Sequence, residues 1–181
     1  MDNPTTLLVA IMYVTIVATG LINVLMTVSE IVAGKRHTDT IHTWWIVLLL
    51  MVYLSFFWET TSILEIEDWD YISFLGFITG PILLMFATNL IISPDDEQKG
   101  AMLDRYYFEL SARFFLLLGL VQAWTIGLDL VLQNVNYMTY LTAGIGILFI
   151  VLMVSKNSRV HIAGLLVVGL AFLTRTIMQA L

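Results

Sequence analysis

The first long apolar stretch of the chain reads LLVAIMYVTIVATGLINVLMTVSEIVAGKR and covers residues 7–36. It contains no charged residue before Glu30, and the basic pair Lys35 and Arg36 closes it. About 20 predominantly apolar residues are enough for a helix to cross the hydrocarbon core of a bilayer. Residues 7–33 are therefore predicted to form a membrane-spanning helix, long enough to cross with some tilt.

Five further apolar stretches follow the first. Hydrophobic residues make up 59% of the chain and charged residues 12%, whereas a soluble domain has about 25% charged residues. In lipid each stretch must be helical, because unpaired backbone groups find no water there. The sequence predicts an all-α fold, an integral membrane bundle that forms one transmembrane domain over residues 1–181. Its six spans are predicted at residues 7–33, 41–58, 71–93, 106–132, 138–154 and 160–178.

Proline residues shape the third of these spans. Gly80-Pro81 lies near its middle and predicts a kink there. Pro94, which is followed by Asp95 and Asp96, predicts the end of the span, because proline cannot continue the helical hydrogen-bond ladder.

Basic residues occupy alternate gaps between the spans. These gaps hold Lys35 and Arg36, then Lys99 and Arg105, then Lys156 and Arg159. The second gap is acidic and carries Glu65, Glu67, Asp68 and Asp70. Lys and Arg are retained on the cytoplasmic side during insertion. The pattern therefore predicts that the three basic gaps are cytoplasmic, and that the N-terminus, the other gaps and the C-terminus lie outside.

Several classes of chemistry find no support in the sequence. The chain has no cysteine, which excludes disulfides and thiolate metal sites. Its net charge of -6 argues against a nucleic-acid surface. No nucleotide-binding glycine loop, serine-hydrolase elbow, zinc-protease motif or lysine within a span is present, and no cleavable signal peptide is evident. A solvated loop is favoured over a cation site at the acidic gap, so no enzyme activity, cofactor or metal is expected.

Four short stretches carry a family resemblance. They are Ile41-His42-Thr43-Trp44-Trp45 with Phe56-Phe57-Trp58, Gly80-Pro81-Ile82-Leu83-Leu84 with Ser93-Pro94-Asp95-Asp96, Tyr106-Tyr107-Phe108 with Arg113-Phe114-Phe115, and Arg159-Val160-His161. The chain resembles a family of small multi-pass prokaryotic membrane proteins to which no activity is assigned. It departs from that family at Met51 and Tyr53, where a glutamine is common, and at Ala112, where a second arginine is common. The resemblance implies the architecture and a place in a prokaryotic cytoplasmic (inner) membrane, and nothing about activity.

Ionisable residues inside the spans are costly, so each one is a candidate functional residue. Those predicted near the cytoplasmic side, together with Asn23 of the first span, form a candidate polar cavity: Asn23, Glu30, His42, Glu109, Arg113 and His161. Glu30, His42, Arg113 and His161 are expected to converge. Glu109 and Arg113, spaced i and i+4, are expected to pair along one helix.

Alternative roles remain open for some of these residues. Gly20, Asn23, Thr27, Glu30 and Gly34 share one stripe of the first helix, which predicts a packing seam or, alternatively, the lining of a hydrated pathway. His42 and His161 are expected to be satisfied helix-start histidines, with a metal, haem or pH-sensing role as the alternative.

A second group is predicted at the outer side of the membrane. It consists of Glu59, Asp129 and Arg175, which come late in the second, fourth and sixth spans. An unpaired arginine in hydrocarbon is costly, so Arg175 is expected to lie within reach of Glu59 or Asp129.

Three functional hypotheses follow from these residues. The first is a transporter or channel for a small solute or ion, and the second is a non-enzymatic accessory or scaffold protein that binds a partner through its lipid-facing surface. A redox protein built on His42 and His161 is a distant third. The expected partners are the bilayer and either further copies of the chain or another membrane protein, with no nucleic acid. A cavity within the bundle would favour the first hypothesis, and a solid core the second.

Overall fold

A computed structural model describes residues 4–36, 39–64, 66, 68–92 and 103–180, with the backbone alone at 62, 103–106 and 177–180. Its six long helices are α1 (Pro4–Val32), α2 (Thr40–Trp58), α4 (Tyr71–Ile92), α5 (Leu103–Val131), α6 (Tyr137–Val154) and α7 (Ser158–Ala180), and a short helix, α3 (Thr60–Ile63), follows α2. The predicted all-α fold with six helices of membrane-spanning length is confirmed, and the described residues contain no strand.

Some sequence predictions fall outside the described residues. These are the basic Lys99, the acidic Glu65 and Glu67, and the helix end predicted at Pro94, Asp95 and Asp96. Of Arg105 only the backbone is described.

The long helices are apolar enough to lie in lipid. Over their most apolar 18 residues their mean hydropathies range from 1.4 to 2.3. Much of this apolar surface points outward, above all on α6 and α7, where Ile147, Ile150, Leu166 and Leu170 are exposed. Such a surface is unstable against water and suited to hydrocarbon, as a bundle of spanning helices requires.

Local sequence explains where several helices begin. The Asp39 side chain accepts a hydrogen bond from the Ile41 N–H and starts α2. Asn136 and Thr139 form a reciprocal capping box at the start of α6. At α4, the backbone N–H of Ser73 donates to Asp70 Oδ1 at 2.6 Å, and this bond lowers the pKa of the Asp70 carboxyl.

The helices alternate in direction, so their ends collect into two groups. We call one group the basic end, because Lys35, Arg36, Lys156 and Arg159 lie there. There Arg36, which follows α1, donates to the Ile92 carbonyl at the end of α4. We call the other group the acidic end, because Glu59, Asp68, Asp70 and Asp129 lie there. At this end Arg175 near the end of α7 pairs with Glu59, which follows α2.

Helices α1, α2 and α4 pack closely around a glycine. A side chain at Gly20 would meet the Tyr53 ring of α2, since a Cβ there would lie 2.2 Å from the Tyr53 hydroxyl oxygen. That hydroxyl is hydrogen-bonded to Thr88 Oγ1 of α4 at 2.8 Å, in a fully buried position. Asn23, one turn further along α1, donates to Asn89 Oδ1 of α4. At these positions the polar stripe of α1 is a packing seam.

A second close contact joins α4 to α5. A Cβ at Gly80 would lie 2.4 Å from the Trp124 ring, so glycine is required for the ring to sit there. The Trp124 indole N–H donates to the Gly76 carbonyl. Helix α4 runs through Pro81 without a break. The glycine before that proline thus serves to admit an aromatic ring.

Candidate functional site

The bundle encloses a cavity of about 110 Å³ between α2, α5, α6 and α7. Most of its wall is apolar and comes from Leu48, Leu49, Val52, Leu118, Val121, Leu141, Ile145, Val168 and Ala171. Four neutral polar side chains also line it: Ser55, Gln122, Thr125 and Thr142. An apolar chamber with a few polar groups is the usual composition of a small-molecule site.

The cavity follows one face of α2. Trp45, Leu49, Val52, Phe56 and Glu59 succeed one another at intervals of three or four residues, which places them on a single stripe. At 1.5 Å per residue, the distance from Trp45 to Glu59 is about 21 Å along the helix axis. This is more than half of the thickness of a bilayer core, about 30 Å.

Aromatic rings close the cavity toward the basic end. Trp45 and Phe149 line its deep part. The Trp45 ring packs edge-on against Phe115 at a centroid distance of 5.0 Å, and against Phe114 at 6.0 Å. All four rings are buried, with at most 3% of each residue exposed. The cavity therefore ends at an aromatic floor.

Charged groups stand at the other end of the cavity. Arg175 Nη2 pairs with Glu59 Oε1, and both residues line the cavity. Their side chains keep 36% and 35% of their surface exposed, so the cavity reaches the surface at the acidic end. The contact between Arg175 and Glu59 that the sequence predicts is thus present. Asp129, the third predicted member, accepts a hydrogen bond from Thr139 Oγ1 at 2.7 Å.

Two histidines flank a buried tyrosine at the basic end. His161 is fully buried and His42 is 5% exposed. The Tyr107 ring lies between them, with centroid distances of 5.4 Å to His161 and 6.2 Å to His42. This group, which we call the histidine–tyrosine cluster, connects α2, α5 and α7.

Hydrogen bonds determine the tautomers of both histidines. His161 Nε2 lies 3.0 Å from the Ser155 carbonyl, which can only accept, so this nitrogen carries the proton. His161 Nδ1 then accepts from the Tyr107 hydroxyl at 2.8 Å. His42 Nε2 likewise donates to the Ile91 carbonyl at 2.7 Å. Both histidines donate to carbonyl groups that the ends of α4 and α6 leave free, and His161 is hydrogen-bonded through both ring nitrogens.

Two basic side chains at the same end also donate hydrogen bonds to backbone carbonyl groups. Arg36 donates to the Ile92 carbonyl and lies 3.6 Å from the Glu30 carboxylate. Lys156 donates to the Phe108 carbonyl. The Arg36 contact places a cation at the C-terminus of α4, where it satisfies a free carbonyl and opposes the helix dipole. Phe108 lies in the second turn of α5, so the Lys156 contact instead connects the end of α6 to the start of α5. These contacts are structural.

The predicted convergence of Glu30, His42, Arg113 and His161 is wrong for two of the four residues. Glu30 is exposed and pairs with Arg36. Arg113 is exposed on the face of α5 that carries Leu116 and Leu120, away from the buried Phe114 and Phe115. This face points to lipid, where a long side chain reaches the interface by extending its charged end outward.

The predicted polar cavity is also corrected in its position. The cavity between α2, α5, α6 and α7 lies nearer the acidic end, and its lining includes none of Asn23, Glu30, His42, Glu109, Arg113 and His161. Asn23 belongs to the seam with α4. Glu109 is exposed, and its expected pairing with Arg113 stays a prediction. Spacing of i and i+4 permits a pair, but at a solvated helix end it supplies little energy.

Sequence reasoning missed the lining of the cavity. Its wall consists mainly of leucine, valine and isoleucine, which look the same in a sequence whether they face a void, a neighbouring helix or lipid. The stripe on α2 that ends in Glu59 is the only recognisable signal. In the sequence Tyr107 is one of three adjacent aromatic residues, and nothing there marks it as the centre of a cluster.

A search for metal ligands adds no further site. In the part of the chain that the structure describes, no three His, Asp or Glu side chains are grouped so as to hold a metal ion. Comparison of the chain with family models, with curated proteins and with solved structures gives no match. The resemblance to small multi-pass membrane proteins stays a prediction.

Proposed function

We propose that the protein is a membrane carrier for a small solute with an apolar body, which enters the cavity from the acidic end. The cavity carries this proposal, because it is open at one end and closed at the other. A chamber of this form suits a carrier in one of its two states, in which the solute site is accessible from one side only. In the orientation that the positive residues predict, the open end faces outside.

The lining favours a solute over a bare ion. Ten wall residues, with Leu84 of α4 among them, are aliphatic. Among the described residues, no charged side chain lines the cavity between the Glu59–Arg175 pair and the aromatic floor. A bare ion in that segment would lose its hydration without receiving ligands, which costs several kcal/mol or more. An apolar group meets no such penalty. Within the transport hypothesis, the lining thus favours a carrier of organic solutes over an ion channel.

A scaffold function is the second candidate. In the most apolar 18-residue segment of helix α7, 11% of the residues are buried within the bundle, whereas in that of α4 the share is 39%. A helix so little covered by its own chain offers surface to another membrane protein. If another membrane protein binds to α7, leucine-to-alanine changes at Leu166 and Leu170 should abolish co-purification of that protein. Ligand binding in the cavity should stay unchanged.

The carrier proposal is tested first by binding. The full chain in detergent is titrated with three one-ring compounds, which are benzyl alcohol, benzyltrimethylammonium and benzenesulfonate. At least one is expected to raise the melting temperature. Ala171→Trp should remove this binding, since Ala171 lines the cavity. Leu170→Trp is the matched control, because Leu170 is exposed on the same helix.

Transport is then measured in liposomes. Benzyltrimethylammonium and benzenesulfonate are permanently charged and cross bilayers slowly by themselves. Liposomes with the wild-type chain should take up labelled compound against a preloaded unlabelled pool, and liposomes with Ala171→Trp should not. Binding without uptake would make the protein a receptor. Absence of binding by all three compounds would overturn the proposal.

Orientation requires its own test. The chain has no cysteine, so single cysteines can be introduced without background. A cysteine at Asp68 should react with an impermeant reagent from outside, and one at Asn157 only after the membrane is opened. The reverse pattern would turn the open end of the cavity toward the cytoplasm.

A further inference from the structure

The charges around the mouth of the cavity do not balance. Within the described residues, Glu59 and Asp129 supply two carboxylates, and Arg175 supplies one cation. The Asp129 charge acts on Glu59, so the two carboxylates share one electrostatic environment. Asp68 and Asp70 add exposed negative charge at the same end. Arg175 therefore compensates only part of the negative charge at this end.

We infer that the cavity takes a small organic monocation, with the apolar part in the chamber and the positive charge beside Glu59. This inference deepens the proposed carrier function and rests on it. A single positive charge beside Glu59 would offset the net negative charge that Glu59, Asp129 and Arg175 carry together. The field of the acidic end would also raise the local concentration of cations, as charged clefts do.

The size of the cavity limits the apolar part. A chamber of about 110 Å³ is somewhat smaller than the cavity of about 150 Å³ that is known to hold benzene. Drug-sized ligands need pockets of about 300–1,000 Å³. The chamber thus limits the apolar part to at most one ring or a short chain, and a lipid with two acyl chains is excluded.

Aromatic side chains near the mouth suit the same ligand. Phe56 and Phe172 line the cavity on α2 and α7, within the turn that precedes Glu59 and Arg175. The faces of such rings attract organic cations, most strongly where water is partly excluded. An ammonium group held between a carboxylate and aromatic rings is bound by charge and by ring quadrupoles together.

An anion would find the site less suitable. To reach Arg175 it would have to displace Glu59 from their pair and would leave that carboxylate next to Asp129. Like charges at close range in a partly buried site are unfavourable. The arrangement therefore selects by charge, with the carboxylates opposing anions and Arg175 opposing doubly charged cations.

The test compares three ligands of one shape on the wild-type chain in detergent, by titration calorimetry. Benzyltrimethylammonium is expected to bind about tenfold more tightly than benzyl alcohol, and benzenesulfonate is expected to bind most weakly. Tighter binding of benzyl alcohol or benzenesulfonate, abolished by Ala171→Trp, would overturn the inference and leave the carrier proposal standing. Absence of binding by all three would remove both.

Charge-changing variants locate the binding determinant. Glu59→Gln should weaken binding of benzyltrimethylammonium about tenfold, and Arg175→Gln should tighten it by a similar factor. The matched controls are Glu109→Gln and Arg159→Gln, which make the same changes of charge at exposed positions of the basic end. Melting curves without ligand establish that each variant is folded. Equal effects of the variants and their controls would show that net charge alone is being measured, and would overturn the assignment to Glu59.

Discussion

The two ends of this bundle treat their polar side chains in opposite ways. At the basic end, His42 and His161 are buried, and each is hydrogen-bonded to a carbonyl at the end of a neighbouring helix. At the acidic end, Glu59 and Arg175 stay about one-third exposed above a cavity. The hydrogen bonds of the two buried histidines hold the ends of neighbouring helices together, whereas partly exposed charged groups beside a cavity can exchange partners. The comparison places the well-packed contacts at one end, and the proposed function places ligand binding at the other.

The cavity itself supports this division. Protein interiors are close-packed, and voids larger than a water molecule are few. Residues that line a cavity of about 110 Å³ have fewer packing partners on that side than fully packed residues have. The aromatic floor a few residues away leaves no such space.

The largest expected effect is on packing at the floor. Phe115→Ala should lower the free energy of unfolding by about 3–5 kcal/mol, because Phe115 is 1% exposed and packs against Trp45 and Phe149. Phe172→Ala is the same change at the cavity wall and should cost less than about 2 kcal/mol, since this residue is only half-buried and already borders the void. Unfolding in detergent, followed by circular dichroism, measures both. Equal losses of unfolding free energy in the two variants would contradict the proposed difference in packing between the aromatic floor and the cavity wall.

The next effect concerns the histidine–tyrosine cluster. Tyr107→Phe leaves His161 Nδ1 without its donor in a fully buried position, which should cost about 1–3 kcal/mol. Tyr140→Phe is the control, because Tyr140 is exposed at the acidic end and should be nearly neutral. The same unfolding assay applies. A neutral Tyr107→Phe would show that the hydroxyl is dispensable and that the cluster is held by ring packing alone.

Helix capping at the acidic end should have a smaller effect. Asn136→Ala removes the acceptor for the Met138 N–H at the start of α6 and should cost about 1 kcal/mol. Asn136→Asp keeps an acceptor there and should stay within a few tenths of a kcal/mol of the wild type. Indistinguishable melting curves for the alanine variant and the wild type would mean that α6 is positioned by its packing on α5.

The smallest expected change in stability belongs to the ion pair at the mouth. Arg175→Gln should alter the free energy of unfolding by no more than about 1 kcal/mol, because partly exposed pairs contribute little. Chemical unfolding of the two proteins side by side provides the measurement. A loss of about 3 kcal/mol or more would be typical of a buried structural pair, and the division between a stabilising end and a ligand-binding end would then fail.

The candidate site was accessible to sequence reasoning only in part. The contact of Arg175 with Glu59 could be predicted from the sequence. An arginine in hydrocarbon needs a partner, and few carboxylates are predicted at the same membrane depth as Arg175. The cluster predicted at the basic end held only for His42 and His161. Depth alone does not say which way a helix is rotated, and rotation directs Arg113 away from the bundle interior.

The number, type and approximate bounds of the helices were determined by the sequence, because the bilayer leaves an apolar stretch of this length no alternative to a helix. Only the tertiary structure decided which faces of those helices meet and where they fail to meet. In lipid, contact of a leucine side chain with an acyl chain is nearly as favourable as its contact with another helix. Hydrophobicity therefore does not mark the face of a helix that points into the bundle. Close contacts at Gly20 and Gly80 set how α1, α2, α4 and α5 approach one another. The space left between α2, α5, α6 and α7 is a consequence of that packing.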